Sequence, residues 1–577
     1  MQVEEEERVV IVLQFFAFVI LAQEQVKYSV ISLLPKDDAA AATKMAVIVD
    51  DHPYPLELTT TSSLLFAGSA PAAQHHYYYA KIKADGSVVE KEPFERQPFD
   101  GESTPNEHYN RSWNKWDITQ LPNVLEPLPS IHRIKSDLHN DGEIPTIHIV
   151  GDPQQIQNMH EHNQDDIQVM TNMTFIRLHD IKTFSNVEFE LSGHYSRKNA
   201  KLAYNIKLPK KSDLSGYRRL KLRALGTDPS YIREDLGFKM IHAAGIPATD
   251  SSFVRVYIND QPLGLFGFIE KYKNPWLRNE FADGNKDYQQ GVLYQGKFGN
   301  AKNQIFDRIS DLSYYGDNPS SYNMGQYKIA EDPSTGEPDY TGLIELTKFL
   351  DNPPANKDAW ETHFDMESVL RGIALEITLG FGDGYLVAAD NYYVYQTAPG
   401  SSKYMFMLWD IDLILGSSYT AAMSHLETGD WHQFAGGLTM KRPLMKFVDI
   451  PEYANRLDEL IREFNDKLLF GAATEKRIDD TVAMLKEDVA WDKTCPRVSH
   501  VSPFDFTDLA PLADLLGLMK KVDMDGHTVR DFNKRQRNDD VGFMQAINGP
   551  TGYDSLHGVK EFIKNKRRNI KNYYGNK

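Results

Sequence analysis

The order of hydrophobic periods along the chain is its tightest constraint. Alternating apolar and polar residues, the mark of strands with one buried face, recur through the first half. Helical spacing dominates from Tyr340 onward, in GLIELTKFLDN, MESVLRGIALEITLGF and PEYANRLDELIREFNDKLL. Strands gathered ahead of helices predict an α+β chain rather than a regular βαβ alternation. Residues 26–89 carry short runs (VKYSVISLL, MAVIVDD, YYYAKIKA) parted by Asp, Gly and Pro, which predicts a small β-sandwich-like module. Residues 90–135 are rich in Pro, Asn and Trp without a period and read as a linker. Strands resume at Thr146–Val150, Met173–Leu178, Val187–Leu191 and Tyr204–Leu208. A helix is expected over Ser230–Ala244, capped by Ser230 and stopped by Gly245-Ile-Pro. A hairpin of SFVRVYIND and LGLFGFIEKY follows, and a second one, NYYVYQT with YMFMLWDI, interrupts the helical half.

One cysteine, Cys495, in 577 residues rules out an intramolecular disulfide and a Cys-rich zinc site. With 63 Lys and Arg against 81 Asp and Glu the formal net charge is −18, which argues against nucleic acid as a partner. Val9–Ala22 is apolar apart from Gln14 and too short to span a bilayer with ease. It has the length of a secretory leader core, ahead of a cleavage site at Ala22, although the preceding EEEER is acidic where a leader is basic. Residues 1–25 are therefore read as a signal peptide, and Asn110-Arg-Ser and Asn172-Met-Thr as glycosylation sequons that agree with export. No second apolar run of membrane length occurs, so a mature chain with no transmembrane segment is expected.

The chemistry concentrates in GDGYLVAADNYYVYQ followed by KYMFMLWDIDLILG. Asp383 and Asn391 precede the first strand of the second hairpin, and Asp410 and Asp412 end its second strand, so all four fall at one end of the sheet. Such oxygen ligands suit Mg²⁺ or Mn²⁺, and Lys207, near a strand end, offers a point charge for a phosphate. Together these are the parts of a phosphoryl-transfer site. On spacing alone, turn and cap roles are the commoner use of such residues. Three other features are set aside. His160-Glu-His162 lies in a polar run without a third ligand and reads as a surface loop; Asp523-Met-Asp-Gly526 lacks the closing Glu of a calcium loop; GKFGNAK lacks the phosphate-loop spacing.

The two hairpin strands, with LKLRALGTDPSYIREDLGFKMIHAAGIP and SSFVRVYINDQPLGLFGFIEKY before them, resemble the CotH kinase family of spore-coat proteins. The likeness is greatest to the secreted or cell-surface CotH-like proteins of mucoralean fungi, and it extends to the closing NGPTGYDSLHGVKEFIKNKRRN. The resemblance implies an atypical protein-kinase-like fold, with an N-lobe over 136–300 and a mostly helical C-lobe over 301–577. It implies ATP and Mg²⁺ or Mn²⁺ as cofactors, and transfer of the γ-phosphoryl group to Ser or Thr of spore-coat or surface proteins. It makes Lys207 the phosphate lysine, Glu234 its helix partner, Glu270 the hinge residue beside the adenine, Asp383 the catalytic base, Asn391 and Asp410 the metal ligands and Asp412 a second candidate ligand. The glycine-rich strand offers only Gly193, which shifts phosphate contacts to Ser196, Arg197 and Lys201. The alternative is a non-catalytic surface adhesin or invasin that uses the same fold to bind a host receptor or a coat protein.

Overall fold

Tyrosines set the shape of the first sheet in this computed structural model, which describes residues 24–34, 43–193, 195–298, 308–499 and 521–575. The expected leader segment, Val9–Ala22, lies outside the described residues. Strands β1 (Gln25–Ile31), β2 (Lys44–Val49), β3 (His52–Leu58), β4 (Leu65–Pro71), β5 (Tyr77–Ile82), β6 (Val88–Lys91) and β7 (Glu107–His108) form one sheet in the order β6-β5-β2-β3-β4-β1-β7. Three strands separate β5 from β1, yet the Tyr28 and Tyr77 rings meet at 5.1 Å and the Tyr79 hydroxyl donates to Ser29 O at 3.2 Å. The sheet is therefore rolled over its own core of Val26, Val30, Met45, Val47, Leu56 and Phe66. The sandwich-like character comes from one curled sheet.

The stretch read as a linker is held by side chains. Its Glu107–His108 pairs parallel to β1. Buried Arg96 bonds Glu92 at 2.6 Å and Glu107 at 3.0 Å, while the Tyr77 and Tyr79 hydroxyls donate to Glu107 at 3.1 and 2.8 Å. Without a periodic pattern, these polar bonds replace the ladder that orders a strand.

The next strands close into a barrel, β10-β11-β12-β14-β13-β8-β9, which leaves no free edge. They are β8 (Thr146–Gly151), β9 (Gln168–Ile176), β10 (Ile181–Leu191), β11 (Tyr204–Lys207), β12 (Arg219–Arg223), β13 (Ser251–Ile258) and β14 (Gln261–Glu270). Alternate residues such as Ile147, Phe175, Phe189, Ile206, Leu222 and Phe268 fill its centre. Two local expectations are corrected. The His160-Glu-His162 run is the end of a helix, Pro153–Glu161, started by Asp152, whose carboxylate accepts from Gln155 N; His160 turns inward and bonds the Tyr204 hydroxyl at 2.9 Å. The helix expected from Ser230 begins at Arg233, because Asp228 accepts from Arg233 N at 3.0 Å and Ser230 instead donates its hydroxyl to Asp228.

A third sheet, in the order β16-β15-β17-β18, lies below the barrel. It comprises β15 (Leu293–Gly296), β16 (Tyr327–Glu331), β17 (Tyr392–Gln396) and β18 (Tyr404–Leu408), with the helix Met366–Leu379 packed on β18. β15 falls inside the span assigned to the N-lobe, but it pairs with β17 and so belongs to this later sheet.

The helix Ala472–Thr494 bolts the parts together. Its fully buried Asp488 bonds Arg255 of β13 at 2.6 Å and lies 3.5 Å from Arg111 of the linker. Asp492 accepts from Lys201 and from Tyr231 at 2.7 Å, and from Leu265 N at 2.8 Å. Arg477 bonds Asp141 at 2.9 Å and Asp235 at 3.4 Å. Removing one partner of a buried ion pair leaves the other charge uncompensated, at ~3–5 kcal/mol. Asp492→Ala is expected to lose stability on that scale in chemical denaturation, whereas Asp539→Asn, which removes the exposed pair with Lys493 and keeps a residue tolerant of the left-handed backbone there, changes it by less than ~1 kcal/mol.

Candidate functional site

The β17–β18 hairpin brings Asp383, Asn391, Asp410 and Asp412 to one end of the third sheet, where its strand ends face the outer side of the barrel. Asn391 precedes β17 and receives Trp409 N on its carbonyl at 3.0 Å. Its amide donates to Asp383 Oδ2 at 2.7 Å. Ala389, Asn391 and Asp410 all have left-handed backbone (φ 54°, 57° and 53°). Asn and Asp tolerate that region better than other non-glycine residues, so backbone and chemistry select the same residue types.

On the barrel side the period of β12 does the work. Leu220 and Leu222 point into the core, so Arg219, Lys221 and Arg223 share the outer face. Arg223 donates from Nε to Glu234 Oε2 at 2.8 Å; its Nη2 bonds Asp410 and lies 3.5 Å from Asp412 Oδ2. Lys221, 7% exposed, stands 3.7 Å from Asp410 Oδ2 and over the Trp409 ring. Thr227 donates to Asp412 Oδ2 at 3.1 Å.

Crowding sets the charges. Burial, then Asp412, Asp390 and Asp410, hold the Asp383 carboxyl well above the usual carboxylate range, and its Oδ1 is buried without a hydrogen-bond partner. Burial also raises Asp412, and pushes Asp390 to about 6 and Glu234 to about 7. Asp410 is held below the usual range because Arg223 and Lys221 outweigh its burial.

The cations crowd too. Lys271 follows β14 on the same face as Lys221 and donates to the neutral Asn205 Oδ1 at 2.9 Å. Burial, with Lys221, Lys273 and Lys328 nearby, brings its ammonium down to about 7. Burial followed by Lys328 likewise lowers Lys297, with Asp390 acting against them. A group of surplus cations thus faces a group of surplus carboxylates, an arrangement that accepts a polyanion together with a hard cation.

Of the remaining expected residues, Glu234 belongs to the cluster through Arg223, while Lys207, Glu270 and Arg197 make their contacts elsewhere. Lys207 stands opposite Arg219 and is ion-paired with Glu188 across the β10–β11 pair. Along β12 that position is four residues, ~13 Å, from Arg223. Glu234 has Arg223 as its partner in place of the expected Lys207. Glu270 points to the other face of β14, where it accepts from Thr249 and from Asp250 N and lies 3.3 Å from His139 Nε2. Arg197 donates to Asp165 O at 2.9 Å and Leu191 O at 3.0 Å. Lys221, Arg223 and Lys271 were not singled out from sequence; the period-two run RRLKLR carried a signal for the first two.

The sequence model of the family described as CotH kinase protein matches residues 189–495, just over half of the chain, so the chain belongs to that family. Among named relatives, invasin CotH3 of Rhizopus delemar is 27% identical over 435 residues, covering 72% of this chain and 69% of the relative. Invasin CotH2 of the same fungus is 27% identical over 423 residues, covering 70% and 67%. Its spore coat protein homolog 1 is 23% identical over 423 residues, covering 72% and 66%. No helix among the described residues is long and apolar enough to cross a membrane.

An anion bound beside Lys271 stabilises the ammonium and raises its pKa from about 7, so binding takes up a proton. Affinity for a metal-free polyanion such as pyrophosphate is therefore expected to fall as the pH rises above about 7. Calorimetry in buffers of different ionisation enthalpy should show proton uptake in the natural chain and none in Lys271→Met.

Proposed function

We propose that the chain is a secreted or surface-located, metal-dependent kinase of atypical two-lobed form. The barrel with the Arg233–Ala243 helix would serve as the N-lobe, and the third sheet with the later helices as the C-lobe. ATP would lie between them, and the γ-phosphoryl group would pass to a Ser or Thr hydroxyl of a coat or surface protein. The observation that carries this reading is the approach of Lys221 and Arg223, on the barrel, to Asp410 and Asp412, beside the buried and unpartnered Asp383 Oδ1 and with Lys271 and Lys297 lowered by burial nearby.

The donor set fits a hard divalent cation: it is all oxygen, and it includes the orphaned Asp383 Oδ1. No three Asp, Glu, His or Cys side chains among the described residues already converge on one point. Asp410 and Asn391, with Asp412 as a further candidate, would hold the ion while phosphate oxygens complete its shell. When bound, the ion supplies neutralisation of the phosphate charge. The chain's own residues do the rest. Lys221 and Lys271 would hold the phosphates, Glu234 fixes the Arg223 guanidinium, and Asp383 would take the proton of the acceptor hydroxyl as the hydroxyl oxygen bonds the γ-phosphorus and the bond to the β–γ bridging oxygen breaks, releasing ADP. Lys207, across the barrel face, would help only at the periphery of the nucleotide.

A second reading is favoured by one observation. Arg223 already sits between Asp410 and Asp412, supplying positive charge where an ion would lie. With relatives named invasins, this supports a surface adhesin that keeps the fold and not the turnover.

Labelled ATP with Mn²⁺ or Mg²⁺ separates the two. The kinase reading expects label on protein with the natural chain and none with Asp410→Asn, a change that keeps a residue tolerant of left-handed backbone. Absence of label, with no nucleotide-induced rise in melting temperature, would leave the adhesin. Lys271→Met is expected to weaken nucleotide binding at least tenfold in the same thermal assay, and Lys207→Met by less than twofold.

A further inference from the structure

A second cavity, on the far side of the loop that joins β12 to the Arg233–Ala243 helix, has chemistry of its own. It encloses about 110 Å³, room for several waters or one tetrahedral oxyanion, and is walled by the barrel, the end of the Ala472–Thr494 helix and the helix Gly526–Asn538. Lys201, Lys493, Arg497 and Arg535 border it against Asp228, Asp492 and Asp539.

The acids are already committed. Asp228 accepts from Ser230, from Arg233 N and from the Arg233 guanidinium, which neutralises it from outside the cavity. Asp492 is shared by Lys201, Tyr231, Leu265 N and Arg497. Asp539 pairs with Lys493 at the rim.

Arg535 is left over. It is 4% exposed and donates only to neutral acceptors, Thr227 O at 3.2 Å and Ser417 Oγ at 3.1 Å. No ion pair to a described carboxylate is formed, and its Nε is buried without a partner. Arg497, which bonds Asp492 through one nitrogen at 3.1 Å, has its Nη1 buried and unpartnered as well. Burial and the neighbouring Arg233 bring the Arg535 guanidinium down to about 9, against the weaker pull of Asp228, Asp531 and Asp412. A buried guanidinium without an anion is costly, and its planar fork suits a phosphate oxygen pair.

We propose that this cavity is a binding site for one phosphate dianion, held between Arg535 and Arg497 with Lys201 behind them and distinct from the nucleotide cleft. With Asp228 neutralised from outside, the described residues of the wall carry a surplus of two positive charges, which matches phosphate or a phosphoryl monoester near neutral pH. A larger cavity of about 810 Å³ behind the Arg233–Ala243 helix lacks this surplus: its Arg133, Lys239 and Arg477 are ion-paired with Glu280, Asp250 and Asp141.

The test is thermal denaturation of the full chain titrated with inorganic phosphate, and separately with O-phosphoserine amide, against chloride at matched ionic strength. Lys271→Met serves as the background, so that the nucleotide cleft does not report. The site requires a rise in melting temperature with one of the two phosphates, and a half-saturating concentration at least tenfold higher in Arg535→Met. Preference for inorganic phosphate identifies a free ion as the source; preference for the monoester identifies a phosphorylated side chain. Arg497→Gln, at the partly exposed rim, carries the same comparison should Arg535→Met fail to fold. No phosphate-specific rise, or an unchanged titration in the arginine variants, overturns the site.

Discussion

Three buried side chains of one helix hold this molecule in register. Arg477, Asp488 and Asp492 follow one another at offsets of eleven and four residues on Ala472–Thr494, and each reaches a different earlier element: the Arg233–Ala243 helix, β13 and the linker, and the approach to β11. A closed barrel can present its outer face in any direction. Lys221 and Arg223 meet the end of the β17–β18 hairpin through Asp410 and Asp412, while this set of charge pairs holds the barrel against the linker and the Arg233–Ala243 helix. Desolvated pairs of this kind add little net stability but penalise every arrangement that leaves them apart.

The site is a balance between two groups that each repel themselves. Carboxylates gathered at a strand end are pushed toward protonation, and ammonium groups gathered on the barrel are pushed toward neutrality. Arg223 belongs to both sides, bonded to Glu234 behind it and to Asp410 in front, where Lys221 also approaches. In a chain with a net charge of −18, such a concentration of lysines is local and costly. Membership of the CotH kinase family gives that cost a context, and relatives in Rhizopus delemar carry the names invasin and spore coat protein homolog.

The hairpins and the barrel strands were readable because period-two alternation is a property of a strand by itself. The convergence of Asp383, Asn391, Asp410 and Asp412 was readable for the same reason, since a hairpin fixes which strand ends meet. The choice among lysines was not. Lys207 and Lys221 both stand on strands among apolar neighbours, and what separates them is the pairing of β11 with β12 and the rotation of the barrel against the third sheet. Neither leaves a mark in the local sequence. Glu270 shows the same limit, because its chain position is beside the cleft while alternation turns its side chain to the other face. The rolled first sheet and the Asp228 cap depend likewise on contacts that a local pattern does not carry.

The bolting helix also dictates an order of events. Lys201 waits for a partner 291 residues later, Arg255 for one 233 residues later, and Ser112 for Glu487, 375 residues on. On a ribosome, or threading through a membrane pore, the barrel strands would all have emerged while their buried cations still lacked counter-ions. Contacts of such sequence separation form late and slowly. The barrel is therefore an unfinished object for most of its own synthesis, and a chain truncated before Ala472 would lose the anions that its first half was built to receive.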